Sequence, residues 1–291
     1  MSNLFFCDKY RFLLSQIHYN ENKGVFMCRV IVVTSGKGGV GKTTVTANLG
    51  LHLAKKNLRV CLVDMDIGLN NLDVVMGMES RVIYNMLDVI EGRCRINQAL
   101  VQDEEFPLLF LLATGNVAQN RVITFGAIER VMNSLKERFD YILIDCPAGI
   151  DTGFSRAISC ADEALVVTTP HLSAMRDADK VVSILSSYDI TNMRFVVNRA
   201  RGDLIKDKVA LDVYEISKTL GIEFGGLIPD DDSITAILNV GGDKLSMKNA
   251  SARAFGVLAD NVHNGTKKLF DCTYKYRGFF GGVLSYLKKR C

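Results

Sequence analysis

The residues with the clearest chemical pattern lie between Gly36 and Thr44. They fit the phosphate-binding pattern G-x-x-x-x-G-K-[ST], and an apolar, strand-like run at 30–33 precedes them closely. Glycines let backbone N–H groups converge on phosphate oxygens, and the N-terminus of a following helix adds positive potential. An ordinary glycine-rich turn between strand and helix is the alternative interpretation, and the full motif disfavours it. The predicted nucleotide-binding residues are Lys37, Gly38, Gly39, Val40, Gly41, Lys42, Thr43 and Thr44.

Two of these side chains have specific chemistry to supply. Lys42 is placed to bridge the β- and γ-phosphates of a nucleoside triphosphate. The Thr43 hydroxyl is placed to bind Mg²⁺, since hydroxyl and carboxylate oxygens are its usual ligands. The loop therefore predicts a site for a nucleotide with its magnesium ion.

Carboxylates follow two further strand-like runs. Asp64 and Asp66 come after the apolar run 60–63, and Asp145 comes after the run 141–144. The carboxyl ends of strands form the ligand crevice of an open α/β sheet, and alternation places Asp64 and Asp66 on the same side. Carboxylates there can hold Mg²⁺ or its waters and orient an attacking water. A lone Asp after a strand is also a common helix cap, so the prediction depends on the phosphate loop beside it.

The elements that position these residues follow from the apolar pattern. Continuous apolar runs, typical of strands buried on both faces, occur at 30–33, 60–63, 109–112, 141–144, 164–167, 195–197 and 224–228. Segments with helical apolar spacing lie between them at 43–56, 123–138, 173–187 and 207–220. This alternation predicts an α/β fold, a mostly parallel sheet with helices on both faces. We predict a leader of unknown role at 1–26, an ATPase domain at 27–265 and a basic tail at 266–291.

Composition excludes several classes of protein. The 291 residues are 48% hydrophobic and 23% charged, as in ordinary globular proteins. No apolar run is long enough to span a bilayer, and the N-terminus lacks the pattern of a secretory signal. The eight cysteines contain no C-x-x-C pair, which favours reduced thiols over a zinc or dithiol site.

The charge is distributed unevenly along the chain. The 35 basic and 32 acidic residues give a net charge of +3, but the segment 266–291 holds seven basic residues and one acidic. The rest of the chain is therefore mildly acidic. Apolar side chains in the last fifteen residues fall on one helical stripe with basic residues at its end. This pattern predicts an amphipathic helix on an anionic membrane surface, formed by Phe279, Phe280, Val283, Leu284, Leu287, Lys288, Lys289 and Arg290. A terminal helix packed on the domain is the alternative.

Lys37, the second lysine of the loop, resembles the signature lysine of the deviant Walker A ATPases, which include the MinD and ParA proteins. Stretches that resemble the MinD branch in particular lie at 33–39, 66–73, 145–150 and 170–179. The resemblance implies ATP and Mg²⁺ as cofactors. It also implies that Lys37 contacts the phosphates of the partner in an ATP-bound homodimer.

The resemblance assigns roles to further residues. Asp66 is implied to orient the attacking water, and Asp64 to support the magnesium side. Asp145 is implied to bond to a metal-bound water or to Thr43. The family uses an Asn comparable to Asn198 to contact the adenine edge, and Pro229 and Asp230 resemble the loop beside the base.

The function implied by the MinD branch is placement of the division septum. Such an ATPase closes as a dimer on ATP, binds the inner membrane surface through two tails and recruits a MinC-like division inhibitor. A MinE-like or other topological regulator stimulates its turnover, and no specific nucleic acid is involved. The alternatives are a flagellar-number ATPase, a ParA-like DNA-partition ATPase and a metallocluster carrier, the last disfavoured by the cysteine pattern.

Overall fold

In a computed structural model, the residues described are 27–66, 71–115, 123–147, 149–231 and 249–276. The predicted leader 1–26 lies outside them. So do the side chains predicted to contact a membrane, from Phe279 to Arg290.

One sheet of eight strands organises the described part of the chain, in the order β3-β4-β2-β5-β1-β6-β7-β8. Every neighbouring pair is parallel except β3 and β4, which are antiparallel. The predicted fold class, a mostly parallel α/β sheet, is confirmed. The strands are β1 Arg29–Thr34, β2 Val60–Asp64, β3 Leu100–Gln102, β4 Leu109–Leu112, β5 Tyr141–Asp145, β6 Glu163–Thr168, β7 Asn192–Ala200 and β8 Glu223–Pro229.

Helices connect the strands and cover both faces of the sheet. They are α1 Lys42–Ala54, α2 Leu72–Met76, α3 Met86–Ile90, α4 Ile96–Ala99, α5 Phe125–Lys136, α6 Thr152–Ile158, α7 Leu172–Ser187, α8 Gly202–Lys206, α9 Val213–Leu220 and α10 Ala250–Asn264. Among the described residues, no helix combines the length and apolar character needed to cross a bilayer.

The segment 207–220, predicted as a helix, is helical only from Val213 to Leu220. Helix α8 ends at Lys206, before this segment, and Lys208 has a φ of 57° in the left-handed region. Helix α9 begins only after Asp212, whose side chain accepts from the Glu215 N–H while the Glu215 carboxylate accepts from the Asp212 N–H. This capping box fixes the start of α9 within the predicted segment.

Side chains along β1 point alternately into two separate hydrophobic cores. Val30 and Val32 belong to the core under α5, α6 and α7. Ile31 and Val33 belong to the core under α1 and α10. All four side chains are at most 2% exposed. A strand buried on both faces has little freedom to shift, so β1 holds the loop that follows it in a fixed place.

The described chain ends in a segment that we call the strap, residues 266–276. It follows α10 and returns across the body of the domain to a short 3₁₀ turn at Tyr274–Tyr276. Cys272 and Tyr276 are buried, and Phe270 packs against both cores. The first residues of the predicted tail therefore lie against the domain.

Candidate nucleotide-binding site

The phosphate loop joins the end of β1 to the first turn of α1. Gly39 and Gly41 have φ values of 75° and 93°, which L side chains rarely adopt. Gly41 is the residue before α1 and offers no side chain to cap it, so the N–H groups of the first turn remain for an anion. A hydrogen bond within the loop stabilises it, in which the Ser35 Oγ donates to the Lys37 carbonyl at 2.8 Å. The geometry suits a bound phosphate chain.

The two lysines of the loop differ in environment. Lys42 begins α1 and is buried, with 9% of its surface exposed. Lys37 is exposed on the loop. Lys42 is thus enclosed at the start of α1, whereas Lys37 is accessible from outside the domain.

Asp64 ends β2, and its carboxylate organises the chain that follows. Its Oδ1 accepts from the Asp66 N–H at 2.9 Å, and its Oδ2 accepts from the N–H groups of Asn71 and Leu72 at 3.3 and 3.2 Å. Burial raises the pKa of Asp64 to about 6 against these hydrogen bonds, which lower it. A nearby cation would stabilise the charged form of this buried carboxylate.

Asp145 ends β5 beside the phosphate-loop helix. It accepts from the Thr46 hydroxyl at 3.2 Å, and the Thr43 hydroxyl also hydrogen-bonds to it. Burial, with a smaller effect of the Asp64 carboxylate, raises the pKa of Asp145 to about 7, although the hydroxyls of Thr43 and Thr46 and the charge of Lys42 lower it. Asp145 therefore lies directly against α1.

Asp66 lies just beyond β2 and is partly buried near Lys42. Burial raises its pKa, while the charge of Lys42 lowers it. The structure thus places Asp66 and the buried lysine of the loop within electrostatic reach. That is the environment in which a carboxylate can accept a hydrogen bond from a water near a terminal phosphate.

Asn198, near the end of β7, contacts the phosphate loop directly. Its Nδ2 donates to the Val40 carbonyl at 2.8 Å, and a Cβ added at Gly41 would collide with the same amide. The side-chain amide of Asn198 also has a second N–H and an oxygen, and both can hydrogen-bond to other groups. Pro229 pairs with Ala200 on the neighbouring strand, and the Asp230 N–H donates to the Ala200 carbonyl at 3.0 Å.

The sequence-predicted residues of the domain therefore meet at one edge of the sheet. The loop of β1, the carboxylates of β2 and β5, and the ends of β7 and β8 all lie at the carboxyl ends of parallel strands. One participant was missed, Thr46. It follows Thr43 by three residues, so helical spacing places both hydroxyls on the face that meets Asp145.

Comparison with known proteins places this site in context. A protein-family model described as an AAA domain matches residues 28–194. The septum site-determining protein MinD of Bacillus subtilis is 43% identical over 268 residues, spanning 91% of this chain and all of that protein.

Two solved structures resemble the fold closely. In the MinC:MinD cell division protein complex of Aquifex aeolicus, the matched chain is 40% identical with a TM-score of 0.77, covering 83% of this chain and 98% of that one. MinD of Pyrococcus horikoshii, complexed with Mg-ADP, is 31% identical with a TM-score of 0.72, covering 81% and 96%.

Proposed function

Because the chain belongs to the MinD family of septum site-determining proteins, we propose that it is a Mg²⁺-dependent ATPase that places the division septum. Its cycle has four steps: ATP binding, closure of a homodimer, binding to the inner membrane surface and release on hydrolysis. The observation that carries the proposal is the junction of β1, β2 and β5. There a phosphate loop lies beside two buried carboxylates in register.

The residues at this junction fit a nucleotide with magnesium. Asp64 and Asp145 are carboxylates whose pKa values are raised by burial, and a divalent cation would offset the cost of their charge. The Thr43 hydroxyl is the third oxygen of the set. Mg²⁺, when bound, neutralises charge on the phosphate oxygens. A relative of this chain was solved with Mg-ADP.

The chain's own residues then supply the hydrolytic step. Lys42 holds the terminal phosphates of its own nucleotide, and the exposed Lys37 reaches those of the partner molecule. Asp66 accepts a hydrogen bond from the attacking water and fixes its direction toward the terminal phosphate. A cation provided by the second molecule would make hydrolysis depend on the dimer, as an arginine finger does in other P-loop enzymes.

Membrane binding is proposed from the last fifteen residues, which hold five apolar side chains at helical spacing and four basic ones. One short helix of this kind binds weakly, since insertion must offset the ordering of the chain. Two tails on one dimer gain avidity of roughly 10² to 10⁴. The ATP-bound dimer would hence remain at the membrane, where a MinC-like inhibitor is recruited and a MinE-like or other regulator triggers release.

Sedimentation with vesicles of anionic phospholipid tests this proposal. We expect binding in ATP-Mg²⁺, much less in ADP-Mg²⁺, and loss on deletion of residues 277–291. Leu284→Asp on the apolar stripe should weaken binding, whereas Ser285→Asp adds the same charge on the opposite side of the helix and should bind better. Binding that ignores the nucleotide, or that survives the deletion, would rule out the membrane switch. Salt-sensitive binding to nonspecific DNA in ATP would point instead to DNA partition.

A further inference from the structure

A cavity of about 230 Å³ lies between the end of β8 and the strap. Pro229 and Asp230, which resemble the loop beside the base, line this cavity. Phe270, Cys272 and Tyr274 of the strap line it as well. A water molecule occupies about 30 Å³ in the liquid, so the cavity has room for a small heterocycle in place of several waters.

The chemistry of the cavity suits a neutral aromatic ring better than an anion. Asp230 and Asp231 line it together with aromatic rings. The guanidinium that borders it, Arg201, is already paired with Asp203, with N···O distances of 3.0 and 2.6 Å. Carboxylates accept from the exocyclic amino group of adenine, and aromatic rings stack on the face of a base. A phosphate would meet repulsion from both aspartates.

The strap is held in this position by specific contacts at its start. Asn261, which is fully buried on α10, accepts from the Lys268 N–H at 2.8 Å and donates to the Lys268 carbonyl at 2.8 Å. The Thr266 hydroxyl donates to the same Asn261 oxygen at 2.7 Å. The amide of Asn261 also donates to the Gly225 carbonyl on β8 at 2.9 Å. One side chain thus ties the strap to the strand that leads into the cavity.

Two further contacts hold its end against α8. A Cβ added at Gly202 would collide with the Cys272 carbonyl, so the strap backbone approaches α8 as closely as glycine allows. The Lys206 Nζ donates to the Tyr276 carbonyl at 2.5 Å. Gly202 and Cys272 both line the cavity. Its shape therefore depends on the strap lying in its observed position.

We infer that the strap is a wall of the nucleobase pocket and a determinant of base binding. The inference rests on the proposed nucleotide site and adds to it residues beyond the phosphate loop and the ends of the strands. The chain passes from Tyr276 directly into the proposed membrane tail at 277. Occupancy of the pocket by a base therefore stabilises the segment from which the tail begins.

Hydrogen exchange on the full chain tests the inference with two ligands that differ in the base. Pyrophosphate-Mg²⁺ can occupy only the phosphate loop, whereas ADP-Mg²⁺ also offers adenine. We expect both to slow exchange of the phosphate-loop amides, and only ADP to slow exchange across 266–276, by about tenfold. Equal strap exchange with the two ligands, while the loop is protected, would overturn the inference alone. A phosphate loop protected by neither ligand would overturn the proposed function and this inference with it.

A matched pair of glycine substitutions tests the close contact. Gly202→Ala places a methyl group against Cys272, and Gly126→Ala adds the same methyl on the exposed first turn of α5. We expect Gly202→Ala to raise the Kd for ADP about tenfold while leaving the Kd for pyrophosphate unchanged, and Gly126→Ala to change neither. Unchanged pyrophosphate binding also shows that the variant is folded. An unchanged Kd for ADP in Gly202→Ala would contradict a role of the strap in base binding.

Discussion

Asp64 and Asp145 are direct register partners at the carboxyl ends of the adjacent parallel strands β2 and β5. Each is buried: burial and the Asp64 charge raise the pKa of Asp145 to about 7, while that of Asp64 rises to about 6 mainly through burial. Without a cation, the site therefore carries an electrostatic penalty at neutral pH. The penalty is what a magnesium ion would relieve.

A pH dependence of stability follows from this pair. At this pair, the folded protein binds more protons than the unfolded chain between about pH 4 and 7, so the contribution of the pair to stability in EDTA should fall as pH rises through that range. Asp145→Asn should raise the free energy of unfolding at pH 7.5 by on the order of 2 kcal/mol and flatten the pH dependence. Urea unfolding at pH 5 and 7.5 measures both effects. Asp179→Asn, on the exposed surface of α7, is the control, and stability of the wild type that rises with pH would contradict the assignment.

Removal of the Asp66 carboxylate, which we propose orients the attacking water, should separate ATP binding from hydrolysis. Asp66→Ala should keep its affinity for ATP and lose turnover by roughly 10²-fold or more, because Lys42 and the loop remain intact. The variant should also stay on anionic vesicles in ATP, where the wild type is released. Phosphate release and vesicle sedimentation report the two properties. Glu79→Ala, an exposed carboxylate, should behave as the wild type, and normal hydrolysis by Asp66→Ala would assign the water to another residue.

The exposed lysine of the loop is expected to act on the partner. Lys37→Gln should bind ATP within about threefold of the wild type, because the buried Lys42 holds the nucleotide of its own site. It should remain monomeric in ATP-Mg²⁺ by sedimentation velocity, where the wild type forms a dimer. Lys218→Gln, on the exposed face of α9, serves as the charge-matched control. A full dimer in Lys37→Gln would show that the contact across the interface comes from elsewhere.

Asn198 bonds to the phosphate loop, and we propose that it also contacts the adenine. Asn198→Ala removes the bond to the Val40 carbonyl and the proposed adenine contact. We expect its Kd for ATP to rise about tenfold and its Kd for GTP to rise less. Fluorescent-nucleotide competition measures both, with Asn192→Ala at the exposed start of the same strand as control. An equal loss for the two nucleotides would limit Asn198 to holding the loop.

The buried amide that anchors the strap should be costly to remove. Asn261→Ala leaves several backbone groups of the strap and β8 without their partner, and should lower the free energy of unfolding by about 3 kcal/mol. Asn264→Ala, exposed on the last turn of the same helix, should cost far less. Urea unfolding of the two variants makes the comparison. Equal effects would mean that the bonds of Asn261 add no net stability.

The site was predictable from sequence because its signals are local. The phosphate loop is contiguous, and Asp64 and Asp145 each end a continuous apolar strand. Parallel strands bring such ends to one edge without further information. Thr46 carries no motif of its own and is recognisable only once α1 is placed beside β5.

The edge strand and the strap depend on contacts that no local pattern records. Strand β3 has three residues, Leu100–Gln102, too few for a periodic signal, and it forms by pairing with β4. The lysines of 266–276 suggest a basic tail by composition. In the fold Lys267 pairs with Glu223 at 2.7 Å, Asn261 bonds to the backbone of Lys268, and Gly202 lies against the backbone of Cys272. Glu223 and Gly202 are distant from the strap in sequence, and Asn261 lies on the helix just before it.

The position of β1 has a consequence for how the protein is made. The neighbours of this strand in the sheet are β5 and β6, and its first partner, Tyr141, lies 112 residues later in the chain. At bacterial or eukaryotic rates of synthesis, that interval is roughly 10 s. During it, the apolar residues 30–33 lack both neighbouring strands, which makes the nascent chain a substrate for chaperones and prone to aggregation. The phosphate loop is thus translated among the first parts of the domain and becomes functional only when more than half of the chain exists.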